Sequence, residues 1–392
     1  MNYVSIQKLI EHDHVSIKTG PFGTQLKASE YVSHGTPVLN VRNLGFATVN
    51  KNKLEMIGTE TLERLSAHKL ITGDIVFGRK GAVERHGFIS PDENGWIQGS
   101  DCIRLRVLTD VINPRFLSYY FLTRRHKAFM VSMCSHGTTM ASLNQKIIEK
   151  IEVPLPERSI QDKMVEILSV FDKRITTNQK INKNLKQQAQ AIYQQMFIDN
   201  ARSDWTEGTL RDIADITMGQ SPSGSSYNED GNGTVFFQGR AEFGFRFPSV
   251  RLYTTEPKRM ARSNDILMSV RAPVGDLNVA HTDCCIGRGL AAIHSKSNHQ
   301  SFVLYTMFSL KKQLDIFNGE GTVFGSINRN SLNDMPILIP SDDILDEFEK
   351  IVAPMDLTIR NNYDENCRLQ DIRDTLLPRL MSGELDASDI EL

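Results

Sequence analysis

Residues Gly137–Pro156 read GTTMASLNQKIIEKIEVPLP, and Gly321–Pro340 read GTVFGSINRNSLNDMPILIP. The two stretches align without a gap at a constant offset of 184 residues, with Ser142 on Ser326, Asn144 on Asn328 and Pro156 on Pro340. A phrase repeated half a chain apart means that one structural unit has been used twice. The echo continues upstream, where GDIVFGRKGAVER (Gly73–Arg85) answers NDILMSVRAPVGD (Asn264–Asp276). Each has an Asp, a short apolar run, a cation (Lys80 or Arg271) and a Gly/Ala/Pro turn, the pattern of a strand entering a tight turn that presents a positive charge.

Downstream of each phrase about 40 residues follow helical spacing. Met164, Leu168, Phe171, Ile175, Asn178, Asn182, Leu185, Ala189, Ile192 and Met196 alternate in steps of four and three. That is an a/d seam of the coiled-coil type. The offset carries it onto Phe348, Val352, Met355, Ile359, Asn362, Asn366, Leu369, Arg373, Leu376 and Leu380, interrupted only by Arg373. Two asparagines recur at matching seam positions, where a buried amide fixes register because it needs a polar partner. The charge differs between the helices. Residues 158–198 carry 7 cations and 3 acids, whereas residues 342–392 carry 5 and 14. Opposite charge beside the seam would select the other helix of the same chain as partner. Connectivity favours an antiparallel pair, since a parallel one would make residues 199–341 span roughly 60 Å. Asn178 is then expected near Asn366, and Asn182 near Asn362.

The expected fold is α+β: two globular domains joined by two long antiparallel coiled-coil helices, with a pseudo-twofold internal repeat. The domains are 1–157 and 199–341, the helices 158–198 and 342–382, and 383–392 an acidic tail. Each domain is expected to hold a twisted, mostly antiparallel sheet, with helical patches at 114–129 and 301–317. Prolines in EVPLP and PILIP block an earlier helix start, so each phrase reads as the exit from a domain into its helix.

The chain of 392 residues has 45 Lys+Arg against 47 Asp+Glu, so net charge argues neither for nor against nucleic acid. No segment is long and apolar enough to span a bilayer, and the charged N-terminus MNYVSIQKLIEHDHV is unlike a secretory signal; the expected location is cytoplasmic. Five cysteines without CxxC spacing suit a reduced compartment and give no zinc pattern. NPRF (Asn113–Phe116) resembles the N-P-P-[YF] motif of adenine methyltransferases, but Arg115 replaces the second Pro and no glycine-rich cofactor loop precedes it. Asn113 as N-cap with Pro114 at the first helical position explains it better. PDEN (Pro91–Asn94) lacks the E-x-K that would complete a nuclease motif and reads as a turn. No P-loop, HExxH or GxSxG is present, so the chain is expected to be non-catalytic and to hold no metal.

Two divergent domains on a symmetric spacer suit a double-stranded ligand read at two separated half-sites. The whole chain resembles the specificity subunits of type I restriction–modification systems. The resemblance rests on IKTGPFGTQLK (Ile17–Lys27), the paired DIVFGRKG and DILMSVRAPVG turns, the repeated phrase, IQDKMVEILSVFDKRI (Ile160–Ile175) and LLPRLMSGEL (Leu376–Leu385). It implies a DNA-binding subunit that reads an asymmetric bipartite site, one half per domain. The helices would set the gap and dock two modification subunits, adenine methyltransferases, while separate restriction subunits translocate and cleave. S-adenosylmethionine, ATP and Mg2+ would belong to those partners. The alternatives are a modification-only or other phage-defence complex, a self-sufficient enzyme, and a coiled-coil protein scaffold.

Phosphates call for cations and amide donors, base edges for Arg, Lys, Asn or Gln. The candidates in the first domain are Lys18, Lys27, Arg42, Asn43, Arg79, Lys80 and Arg85, expected at strand ends or turns. Those in the second are Gln220, Ser221, Gln238, Arg240, Arg271 and Arg288. Thr138, Thr139 and Thr322 of the Gly-Thr loops are candidate phosphate donors, whereas Ser142, Asn144, Ser326 and Asn328 are expected to be structural.

Overall fold

The computed structural model describes residues 2–134, 142–319 and 325–390. It divides into two compact units, Met1–Thr176 with Asn366–Leu392, and Thr177–Glu365. Each long helix therefore contributes to both units.

In the first unit Tyr3–Ser5 pairs antiparallel with Glu152–Pro154. One sheet has the order Val15–Thr19, Cys102–Val107, Ile75–Gly78, His86–Phe88, all antiparallel. The other has the order Tyr31–Val32, Glu55–Ile57, Thr36–Leu39, Ile97–Gln98, and its last pair is parallel. The second unit repeats this plan. Thr206–Thr209 pairs with Pro336–Ile339, and Ala214–Met218, Leu290–Ser295, Ile266–Ser269 and Leu277–Val279 form the antiparallel sheet. Tyr227–Asn228, Leu252–Thr254, Thr234–Phe237 and Cys284–Ile286 form the mixed one, extended by Met260–Ala261.

Beside its two-stranded pair, each unit thus has two larger sheets where the sequence suggested one. The central strand explains why. A strand buried on both faces reads as an unbroken apolar run, and Ile75–Gly78 and Ile266–Ser269 are buried throughout. Ile75 and Phe77 pack into the core that includes the long helices, while Val76 enters a separate core beneath the mixed sheet. Ile266 and Met268 are divided from Leu267 in the same way. The stretch WIQGSDCIRLRV supplies Ile97–Gln98 to one sheet and Cys102–Val107 to the other. Cys284 and Cys285 are buried strand residues, and burial pushes the Cys284 thiol up to about 12.

The helical patches resolve into pairs, Pro114–Tyr120 with Arg124–Cys134 and Gln300–Ser309 with Lys311–Asp315. Asn113 caps the first, its Oδ1 accepting from the Arg115 and Phe116 amides at 2.8 and 3.4 Å. Pro91–Glu93 is a single 3-10 turn capped by Ser90. The long helices are Arg158–Tyr193, continued by a π-helical turn over Gln194–Asp199, and Asp342–Ser382. All twenty seam positions are buried or half-buried. Residues 383–390 are no free acidic tail, for Leu385, Ala387 and Ile390 pack into the first unit's core beside Leu380 and Met381.

Within the second unit the two helical segments run antiparallel. Asn362 Nδ2 donates to Asn182 Oδ1 at 2.7 Å, and Asn182 Nδ2 to the Ile359 carbonyl at 3.3 Å. Asn178 Nδ2 donates to Glu365 at 2.8 Å, and Asn366 is buried in the first unit. Replacing Asn182 with Leu is expected to cost about 1–3 kcal/mol by stranding these partners, while Asn182→Leu with Asn362→Leu recovers most of it. Urea unfolding of the two variants tests this, and equal losses would show that the pair is not coupled.

Beside Glu365, which meets Asn178 of the first helix, other acids of the second helix turn to the globular part of the unit. Asp346 and Asp364 bond His299 and His281 at 2.9 and 2.6 Å, Glu349 accepts from the Phe302 amide at 3.0 Å, and Asp356 holds Arg246 and Tyr305. These carboxylates fasten the globular part of the unit to its helix.

Candidate nucleic-acid interface

The cation-bearing turns are built in duplicate. Lys80 forms an isolated antiparallel bridge with Ser142, and Arg271 forms the same bridge with Ser326. The Leu143 amide donates to the Arg79 carbonyl at 2.8 Å, and that of Ile327 to Val270 at 3.0 Å. Two residues on, Asn144 and Asn328 cap the short helices Gln145–Glu149 and Arg329–Asn333, accepting from Ile147 and Ser331. The repeated phrase is therefore more than an exit. It braces the exposed cation and then leads by a capped turn and a paired strand into the long helix.

The mixed sheet supplies a second side to this rim. The parallel pairs set Leu39 beside Gln98 and Phe237 beside Ile286, so Arg42 and Arg240 occupy equivalent places three residues further along. Gly20 lies against Gly99, and Gly219 against Gly287, so closely that a Cβ on Gly20 or Gly219 would strike the facing carbonyl. These approaches bring the Phe22 and Ser221 segments next to Ser100 and Arg288. In the second unit Gln238, Arg240, Arg271 and Arg288 line one depression together with Ser269 and Gly289. Ser221 Oγ accepts from the Arg288 amide at 3.2 Å, and the Gln220 amide donates to Ile286 at 3.0 Å. All six second-unit candidates thus gather at one end of the strands. Arg240 is ion-paired with Asp276, while Arg271 and Arg288 are exposed.

The first unit's rim is more nearly neutralised. Arg42 pairs with Glu55 at 3.0 Å, and Asn40 Nδ2 donates to the same carboxylate at 2.7 Å. Lys80 lies 3.6 Å from Asp101, and the Arg79 guanidinium sits over the exposed Phe22 ring at 4.6 Å. Arg85 and Lys127 flank the ring of Phe46, also exposed. Lys27 is exposed, ahead of the 3-10 turn Ala28–Glu30.

Two candidates require correction. Asn43 is fully buried, its Nδ2 donated to the carbonyls of Asn50 and Asn52 at 3.0 and 3.1 Å, so it braces a loop and presents nothing to a ligand. Lys18 lies within strand Val15–Thr19 opposite Arg104, half-buried and not at a strand end. Burial, with Lys18 and Arg104 nearby, lowers the neighbouring His68. Thr138, Thr139 and Thr322 lie outside the described residues. Phe22, Phe46 and Asn40 stand beside these rim candidates, and in the sequence only Phe22 carries a signal, an aromatic between two glycines after a strand. Among the described residues no group of His, Cys, Asp and Glu is placed to hold a metal, and no helix is long and apolar enough to cross a membrane.

Comparison with known proteins agrees with this duplicated plan. The family model for the type I restriction modification DNA specificity domain matches twice, over residues 35–187 and 202–366. A protein of Methanocaldococcus jannaschii described as a specificity subunit of the type I restriction enzyme MjaX is 29% identical over 374 residues, 90% of this chain and 87% of the relative. The type I restriction enzyme HindI specificity subunit of Haemophilus influenzae is 20% identical over 398 residues, covering 80% and 86%. The crystal structure of the type I restriction–modification S subunit from M. genitalium shares the fold, with a TM-score of 0.58 at 16% identity over 97% of this chain and 96% of that one. With both halves matched, the chain belongs to the type I restriction modification DNA specificity family.

Proposed function

We propose that this chain is the sequence-reading subunit of a type I complex, and that residues 1–157 and 199–341 each read one half of an asymmetric bipartite DNA site. The observation that carries the reading is one backbone frame used twice with unlike side chains at matching rim positions. Asn40 answers Gln238, Lys80 answers Arg271, Ser100 answers Arg288 and Phe22 answers Ser221. A shared frame gives both halves the same approach to a duplex, and different donors give them different base preferences. The remaining candidates, Lys27, Arg42, Arg79, Arg85, Gln220 and Arg240, serve as phosphate or supporting contacts. The two long helices act as an antiparallel coiled-coil spacer that sets the gap and docks two modification subunits, with restriction subunits joining them. Methyl transfer and cleavage, and with them S-adenosylmethionine, ATP and Mg2+, belong to those partners, and this chain contributes binding alone.

The chain with its modification subunits is expected to bind one bipartite sequence far more tightly than random duplex, and to bind weakly by itself. Methylome sequencing of cells carrying both identifies the site, and a gel shift measures the selectivity. Exchanging residues 1–157 for those of another family member should change one half-site and leave the other. Equal binding to random duplex in the presence of modification subunits, or a swap that alters both half-sites, would sink the reading.

A further inference from the structure

Asp172 on the first long helix and Asp356 on the second stand 184 residues apart, the offset of the repeat. Each meets a tyrosine of the adjoining globular part. Asp172 Oδ2 accepts from Tyr119 Oη at 2.6 Å and from Arg115 at 2.8 Å. Asp356 Oδ1 accepts from Tyr305 Oη at 3.0 Å and lies 3.1 Å from Arg246 Nη1. Tyr119 and Tyr305 are buried, and their helices Pro114–Tyr120 and Gln300–Ser309 follow Cys102–Val107 and Leu290–Ser295, interior strands of the two antiparallel sheets.

The cations come from different places. In the first unit Arg115 shares a helix with Tyr119, and Arg373 of the second long helix reaches Asp172 Oδ1 at 2.8 Å. Arg373 is the residue that interrupts the apolar seam, and this carboxylate accounts for it. Its counterpart on the first helix is Ala189, fully buried. In the second unit the charge arrives from the loop residue Arg246, 5% exposed, whose Nη2 also donates to Tyr305 Oη at 3.1 Å. The carboxylate–tyrosine pair is thus common to both units, while the counter-charge is supplied by unrelated elements.

We propose that Asp172 and Asp356 are positioning residues that lock each reading domain at one angle on its long helix, and so fix the gap at which the two half-sites are read together. The proposal rests on the bipartite reading above. Apolar packing alone is non-directional and lets a domain rock on a helix. A carboxylate shared by a hydroxyl and a guanidinium is satisfied in only one orientation, because each bond weakens steeply with angle. Buried ion pairs of this kind add little net stability and are better suited to specifying geometry.

The experiment uses the full chain assembled with its modification subunits. Binding is measured on duplexes carrying the natural gap, a gap one base pair shorter and one longer, and on a duplex with a single half-site. The variants are Tyr119→Phe, Tyr305→Phe and the double Asp356→Asn, Arg246→Gln, which leaves no lone buried charge. The unaltered complex is expected to lose at least about tenfold on the wrong gaps, where the DNA must deform. The variants should narrow that discrimination to about threefold or less, each having lost a hydrogen bond or two of the lock. Their affinity for the single half-site should stay within about twofold, since no group that touches DNA is removed. Discrimination unchanged in all variants overturns the proposal, as does a uniform loss on every duplex including the single half-site, the mark of a merely structural role. If the double variant does not fold, the tyrosine variants, which remove one hydroxyl each, decide the matter alone. A complex with no sequence selectivity before any substitution would instead bring down the bipartite reading, and the lock's role with it.

Discussion

Arg271→Ala together with Arg288→Ala is expected to weaken binding of the assembled complex to its target by about thirtyfold or more. The two guanidinium groups project from adjacent strand ends into one depression with Gln238. Arg288 is held there by glycines on either side. A Cβ on Gly287 or Gly289 would come within 2.9 or 2.8 Å of the Gln238 backbone. A bidentate arginine–guanine pair is worth about 1–3 kcal/mol, and removing two would cost about 2–6 kcal/mol. If either group neutralises a phosphate instead, the slope of log affinity against log salt becomes shallower by about 0.9 for each phosphate left without its cation. Lys80→Ala in the first unit should cost less than Arg271→Ala at the matching position, because Lys80 already shares its charge with Asp101 at 3.6 Å. Titrations at three salt concentrations separate base recognition from phosphate neutralisation. A double variant within twofold of the original, or a Lys80 effect as large as that of Arg271, would mean that this depression does not face DNA.

How much of this was legible in the sequence depended on the range of the interaction. Local and periodic signals carried through. The seam on both helices, the Asn113 cap and the cation turns at Lys80 and Arg271 are set by residues within a few positions of one another, and pattern exposes them. The Asn182–Asn362 pair was legible because the repeat supplied the second residue and connectivity the direction. Long-range partners were not. Nothing near Asn43 announces that its amide is taken by carbonyls seven and nine residues on. Nor could charge counts reveal that Asp346, Glu349, Asp356 and Asp364 turn to the second globular part. A charge run tells sign and not direction. The two-sheet plan was missed for a related reason: an apolar run such as Ile75–Phe77 looks the same whether one core or two receive it.

Acidification from pH 7 to pH 5 is expected to destabilise the first unit by roughly 4 kcal/mol relative to the second. His86 is fully buried, with Nε2 2.9 Å from Ser118 Oγ, and His126 packs at a tilt against Phe121 with ring centroids 4.7 Å apart. Burial pulls both imidazoles down to about 3, helped at His86 by His126, Arg115 and Lys127 and at His126 by Lys127. An unfolded histidine takes up its proton near pH 6.5. Between that value and about 3 the unfolded chain binds more protons than the folded one, so stability is lost as pH falls through the window. At pH 5 the gap is about 1.5 units, or about 2 kcal/mol for each histidine at 1.36 kcal/mol per unit. The second unit has the opposite tendency. Burial raises the carboxyls of Glu349 and Asp356, so there the folded form takes up protons before the unfolded one, and acid favours folding as pH falls toward the ordinary carboxylate range. Amide exchange measured on Ile75–Gly78 and Ile266–Ser269 at both pH values, corrected for intrinsic rates, reads the two units separately. Protection should fall in the first strand and hold in the second, and His126→Phe should remove about half of the difference, since one of the two strongly lowered imidazoles is gone. Parallel losses in both strands, or a His126→Phe protein with undiminished acid sensitivity, would show that these imidazoles do not govern the first unit's response to acid.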